Sequence, residues 1–267
     1  MSRWINGEIH SSNLHGLRKS VGAPDVVFHL AGGSSVGTAI SAPHEDFFRT
    51  VASTANLMDW IRIESPHTVA VVASSAAVYG AGHPGRILES AVGTPFSPYG
   101  YHKLMMEQVC RSYGATYGLR SAIARLFSVY GVGLKKQLLW DLCSKLSVGT
   151  GTAQLGGTGE ELRDWVDVRD VAQALERLEG IASAESPAMN VGSGKSTNVR
   201  EIADLVLEAW PSRRQVAFSG TQRPGDPFSL VADCCKLQST GFHPQIPISV
   251  GVREYVGWYL RQSGEAP

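Results

Sequence analysis

The chain has 267 residues, 43% apolar and 18% charged, enough to bury a sizeable core in one large or two small domains. Its 24 basic and 24 acidic residues cancel, which excludes a basic field for nucleic acid and a polybasic membrane patch and leaves recognition to local pockets. No apolar run approaches the roughly 20 residues of a membrane span. Arg3, Asn6, Glu8 and His10 come early with no apolar stretch behind them, unlike a secretory signal. Cys110, Cys143, Cys234 and Cys235 have neither zinc-site nor disulfide-framework spacing, so the expectation is free thiols, no metal and a cytoplasmic protein.

In chain order, Trp4 to His10 reads as a first strand-like segment. Asp25 to Leu30, ending in Ala31-Gly32-Gly33, reads as a strand buried on both faces. Asp46 to Ile63 has apolar residues at helical spacing. Val69 to Ser75 is a second buried strand, followed by a loop rich in Gly and Pro from Gly80 to Pro98. Tyr99 to Tyr117 reads as a long helix and Leu119 to Phe127 as a third strand. Such alternation predicts an α/β fold with a mostly parallel sheet and right-handed crossovers. Beyond about residue 131 the pattern loosens, with glycines at 149, 151, 156, 157 and 159. A helix is expected over Val168 to Gly180, a strand over Ala188 to Val191 and a helix over Asn198 to Trp210, in a smaller, partly separate domain.

Tyr99 and Lys103 stand four apart at the start of a helix and project from one face. An ammonium near a phenol favours the phenolate, bringing a group with an ordinary pKa near 10 toward use as a base or acid at neutral pH. Ser74-Ser75 ends the preceding buried strand, where α/β sheets place functional groups, and a hydroxyl there can bond the oxygen whose proton the tyrosine moves.

The stretch Ser74-Ser75-Ala76-Ala77-Val78-Tyr79-Gly80, then Glu89, then Ser97-Pro98-Tyr99-Gly100-Tyr101-His102-Lys103, resembles the active-site region of extended short-chain dehydrogenases/reductases, whose best known members are the UDP-glucose 4-epimerases. The resemblance continues through Arg125 to Gly131, Gly157 to Val168, Met189 to Gly194 and Arg223-Pro224-Gly225-Asp226, in family order. It implies a Rossmann-like doubly wound parallel sheet in 1–130, binding NAD or NADP, and a smaller C-terminal substrate domain, 131–267, parts of which return to the first.

By position, Tyr99 resembles the proton-transferring phenol, Lys103 the residue that binds the nicotinamide ribose and lowers the tyrosine pKa, and Ser75 the hydroxyl on the sugar oxygen. Ala31 and Gly32, with Tyr99 and Lys103, fall at cofactor contacts. Arg163, Arg223 and Asp226 match positions that hold the nucleotide diphosphate and ribose, where an arginine fork bonds two oxygens at once. Ser128 and Gln137 stand where 4-epimerases usually have Asn and join the expected substrate contacts. The resemblance also implies a UDP- or dTDP-linked sugar as ligand and a homodimer paired through the long helices.

The departures matter too. Relatives open with a strand, glycine-rich turn, helix and strand; no Gly-x-x-Gly-x-x-Gly stands near this start, and Trp4 to His10 resembles the family's third strand. The resemblance therefore implies that about forty to fifty residues are missing, and the expectation is a misplaced start or a truncated product. The strand that would choose between NAD and NADP is among them. Ala76-Ala77 replaces the Asp-Glu pair of 4,6-dehydratases, so dehydration is not expected. Thr50 stands where the family often has Asn and carries little weight here.

The leading expectation is a 4-epimerase acting on a nucleotide hexose. The alternatives are a 4-keto-6-deoxyhexose reductase serving surface polysaccharide and a non-catalytic or truncated relative. Gly192-Ser193-Gly194-Lys195-Ser196-Thr197 ends like an ATPase phosphate loop, but Met189 occupies the position of its required first glycine. His29 is read as a satisfied core histidine, and Trp140, Trp165 and Trp258 as packing residues.

Overall fold

The computed structural model describes residues 4–148, 151–221 and 227–264. The chain divides into two compact units: residues 1–80, 89–126 and 174–190 form one, and 81–88, 127–173 and 191–267 the other.

The first unit is built on a four-stranded sheet in the order β1 (Val26–His29), β2 (Val69–Ser75), β4 (Ser121–Leu126), β9 (Ala188–Val191). β2 runs parallel to both β1 and β4, pairing His29 with Val72 and Ser75 with Leu126. Six successive residues of β2, from Val69 to Ser74, are buried because strands flank it on both sides and helices cover it. The helices are α1 (Ser11–Val21), α2 (Val36–Ser41), α3 (Pro43–Phe47), α4 (Ser53–Glu64) and α5 (Pro98–Tyr117). Leu57, Met58 and Ile61 of α4 and Met106 and Cys110 of α5 pack with Ala70, Val72 and Ile123 of the sheet. Between α3 and α4 the chain does not break: Phe48–Ala52 continues the coil with π-helical bonding.

Two expectations are corrected. The segment from Asp25 to Leu30 is not buried on both faces: Phe28 within β1 is 42% exposed and Leu30 just beyond it 60%, because β1 ends the sheet and β2 is its only strand neighbour among the described residues. Residues 4–10 form no strand, for no described strand pairs with them, and Trp4 is exposed.

The second unit carries small sheets. One has the order β10 (Thr197–Asn198), β7 (Leu162–Arg163), β12 (Ser229–Ala232), β3 (Arg86–Ile87); β11 (Gln215–Phe218) pairs with β6 (Thr152–Leu155), and β5 (Ser128–Tyr130) with β8 (Trp165–Asp167). Helices α6 (Gln137–Val148), α8 (Val199–Ala209) and α10 (Ile248–Ser263) enclose a core that includes Leu142, Leu146, Ile202, Val206, Tyr255 and Tyr259. α7 (Val168–Glu179) and the short α9 (Cys235–Gln238) complete the elements. No described helix is long and apolar enough to cross a membrane. Cys110, Cys143 and Cys234 are buried and Cys235 is exposed.

Candidate active site

Ser75, Tyr99 and Lys103 converge in the first unit. Ser75 ends β2 and caps the 3-10 turn Ala76–Val78, its Oγ accepting from the Ala77 amide at 3.2 Å. α5 begins beside that turn: Ser97 caps it by accepting from the Gly100 amide at 3.3 Å, and Pro98 fits its first position. Gly100 permits the close approach, since a Cβ there would lie 2.6 Å from the Ala77 carbonyl oxygen. With the helix seated so, the Tyr99 phenol lies near Ser75.

One turn on, Lys103 is buried and its Nζ donates to the Ala73 carbonyl at 2.8 Å, 5.9 Å from the centre of the Tyr99 ring. The expected lowering of the phenol pKa does not appear. Burial pushes Tyr99 above its ordinary value, the nearby Ser75 hydroxyl pulls it back in part, and the Asp46 carboxylate raises it further. Lys103 is hydrogen-bonded to the strand through the Ala73 carbonyl.

Beside these groups lies the turn after β1. Gly32 has φ 142°, and a Cβ on it would stand 3.2 Å from Lys103 Nζ and 3.3 Å from Thr50 Oγ1. Thr50 accepts from the Gly33 amide at 2.8 Å. Ala31 and Gly32 line a cavity of about 470 Å³ with Gly7, His10, Arg49 and Asn56. This glycine cradle against an ammonium suits the ribose end of a dinucleotide, and Ala31, Gly32, Tyr99 and Lys103 are the residues that would hold it.

In the second unit Ser128, Gln137 and Arg163 line one cavity of about 610 Å³ with Asp141, Lys145 and Trp165. Gln137 opens α6 in the left-handed region, φ 67°. Arg163 Nη1 donates to the Leu162 carbonyl at 2.8 Å. Glu161, buried in the same wall, would be raised by burial. Bonds from the Thr158 and Gly159 amides and the Thr158 hydroxyl outweigh this and hold it below the usual carboxylate value. Arg223 and Asp226 lie outside the described residues.

The phosphate-loop lookalike has an internal occupant. The Asp164 carboxylate accepts from the Ser193 amide at 2.6 Å, the Ser193 hydroxyl at 2.8 Å and the Gly194 amide at 2.9 Å, so those donors are spent on the protein itself. His29 is buried, 2.9 Å from Thr54 Oγ1; burial first, then the charge of Lys103, lower its pKa to about 4. Sequence reasoning passed over Asp46, His102 and Glu161 and undervalued Thr50. Only Thr50 carried a signal, its alignment with a family asparagine.

The family model for the NAD dependent epimerase/dehydratase family matches residues 3–192. The UDP-glucose 4-epimerase of Azospirillum brasilense is 30% identical over 274 residues, covering 95% of this chain and 78% of that protein. The GDP-6-deoxy-D-mannose reductase of Pseudomonas aeruginosa is 29% identical over 242 residues, covering 86% and 78%. Among solved structures, MoeE5 in complex with UDP-glucose and NAD superposes with a TM-score of 0.86 at 29% identity, covering 98% of this chain and 86% of that one. With a parallel sheet, a serine–tyrosine–lysine cluster at its end and these likenesses, the chain belongs to the NAD dependent epimerase/dehydratase family.

Proposed function

We propose that the chain is a nucleotide-sugar 4-epimerase, acting at C4 of a UDP- or dTDP-linked hexose. The observation that carries this is the convergence of Ser75 at the end of β2 with Tyr99 and Lys103, one helical turn apart at the start of α5, the Lys103 Nζ lying 5.9 Å from the centre of the Tyr99 ring. Ala31, Gly32, Tyr99 and Lys103 would hold a nicotinamide dinucleotide, which would supply a reversible hydride acceptor for C4. Ser75 bonds the C4 oxygen and Tyr99 takes its proton, then gives it back once the 4-keto sugar has turned over. Lys103 orients the cofactor ribose. Arg163, Arg223 and Asp226 hold the diphosphate and ribose, with Ser128 and Gln137 adding hydrogen bonds. Ala76 and Ala77 move no protons, so no water is eliminated.

A second reading, a 4-keto-6-deoxyhexose reductase, is favoured by the raised Tyr99 pKa, since a phenol held protonated suits proton donation to a keto oxygen. The two are separated by giving the full chain UDP-galactose alone and, separately, a dTDP-4-keto-6-deoxyhexose with NADPH or NADH. Interconversion of the first without added reductant identifies the epimerase; stoichiometric oxidation of the coenzyme with the second identifies the reductase. Tyr99→Phe abolishes either. Turnover within about tenfold of wild type in that variant overturns the role given to Tyr99.

The proposed setting is cytoplasmic supply of activated sugars for surface polysaccharide. A homodimer through α5 is supported by the half-exposed Tyr101 and Met105, which share an apolar groove with Leu104 and Val109. Light scattering on wild type and Met105→Glu checks it, with the variant expected to be monomeric.

A further inference from the structure

Besides the cavity lined by Arg163, the second unit holds another of about 420 Å³, and Trp165 lines both. Lys195, Thr197, Gln238, His243 and Ser249 give the smaller one its polar wall. Two buried carboxylates hold that wall in shape. Asp164 accepts from the Ser193 amide at 2.6 Å and the Gly194 amide at 2.9 Å, which fixes the turn leading into Lys195. Asp170, 1% exposed, accepts from the Gln245 amide at 2.9 Å and the Ile246 amide at 3.1 Å, which fixes the segment after His243. The cavity is thus preformed by bonds internal to the protein.

Its lining carries an ammonium, an imidazole, hydroxyls and amides, and no carboxylate. Among the described residues, the side chains of Lys195, Thr197, Gln238, His243 and Ser249 have no hydrogen bond or ion pair within the protein. Trp165 is 8% exposed, and its indole N–H has no hydrogen-bond partner among the described residues. Tyr130 packs on that indole edge-on at 6.4 Å. A buried donor without an acceptor is costly, and a ligand oxygen would supply one.

We propose that this cavity binds a hexose phosphate. Lys195 meets the phosphate, for which a compact ammonium is suited, because the Ser193 and Gly194 amides are already spent on Asp164. Thr197, Gln238 and Ser249 bond the sugar hydroxyls. Pro244, Ile246 and Trp165 offer apolar surface to the C–H face of the ring. The absence of a carboxylate from the lining disfavours a cation, and the hydroxyls and amides exceed what a bare phosphate would use. The volume falls within the range of about 300–1,000 Å³ usual for small-molecule sites. None of this depends on the chemistry assigned to Tyr99.

Calorimetric titration of the full chain with glucose 6-phosphate, inorganic phosphate and methyl glucoside tests the proposal. Glucose 6-phosphate is expected to saturate the protein with a Kd at least about tenfold below those of the other two. Lys195→Ala weakens its binding by about tenfold or more, the loss of one charge-assisted contact. Arg163→Ala, in the larger cavity, leaves it within about twofold. Circular dichroism checks that each variant folds, and if Lys195→Ala does not, weakening by Thr197→Val decides. Absence of saturable binding, or equal affinity for inorganic phosphate or methyl glucoside, overturns the proposal. Unchanged affinity in Lys195→Ala overturns it too. So does a loss of more than about twofold in Arg163→Ala, which would put the ligand in the larger cavity instead.

Discussion

Glu107 receives both arms of the Arg125 guanidinium, Nε to Oε1 at 2.9 Å and Nη2 to Oε2 at 2.7 Å. The pair ties α5 to β4, and Glu107 also accepts from the Ser74 hydroxyl at 2.7 Å. Arg125 continues the chain of bonds to the Tyr79 hydroxyl at 2.9 Å, which donates to Asn190 at 2.6 Å. Glu107 lies two turns past Tyr99, so one buried network holds both the helix that carries the phenol and the strand end that carries Ser75.

Replacing Glu107 by Gln leaves the Arg125 charge buried without its counter-charge, and the expected loss is about 3 kcal/mol in urea unfolding. Burial alone would raise the Glu107 pKa; the hydrogen bonds and charge of Arg125 outweigh that and hold it below the usual value. Its contribution is therefore present above about pH 4.3, the unfolded value, and is lost as pH falls through the depressed folded value. A loss under about 1 kcal/mol at pH 7 would show the network to be dispensable.

His29 gives a second, distinct pH dependence. Its folded pKa of about 4 lies below the unfolded value, so the unfolded chain takes up a proton that the folded one refuses. Stability from this group is complete above about pH 6.5, declines from there to about pH 4, and then levels. Unfolding midpoints of wild type and His29→Gln, measured at both ends of that window, should converge at the acid end. Parallel curves would rule the histidine out.

Gly100→Ala tests the seating of α5. The added methyl meets the Ala77 carbonyl oxygen at 2.6 Å and Pro95 Cβ at 2.9 Å, so the helix start must move away from β2. Stability should fall by about 1–3 kcal/mol, and kcat by more than tenfold because Tyr99 is carried off Ser75. Unaltered turnover would mean that the contact is not needed for catalysis.

Gln137 holds a left-handed backbone that asparagine adopts more readily. Gln137→Asn is expected to stabilise the chain by about 0.5–1 kcal/mol. Thermal melting checks this, and an unchanged or lower midpoint argues against strain at that position.

What the sequence disclosed was local. Val69 to Ser75 reads as a buried strand because its own residues are apolar and its neighbours in the fold agree. Tyr99 and Lys103 are legible because one helix turn joins them. Phe28 and Leu30 look equally apolar, yet their exposure is decided by which strands lie beside β1, a fact absent from the segment itself. α6 and α10 escaped notice although Leu139, Leu142, Leu146 and Val252, Val256, Tyr259 repeat at helical spacing, because glycine-rich neighbours obscured the pattern. Asp46 reaches His102 across 56 positions through tertiary packing, and the excursion of 81–88 to pair β3 with β12 is likewise non-local.

The widened coil at Phe48–Ala52 has a geometric consequence. An extra residue in a helical turn rotates everything upstream relative to everything downstream by roughly 100°. That offset lets Asp46 address α5 while Thr50, within the bulge, addresses Gly33. Deleting one residue there would yield a more regular helix whose acid points elsewhere, so evenness of the coil and aim of its side chains are competing demands on these five positions.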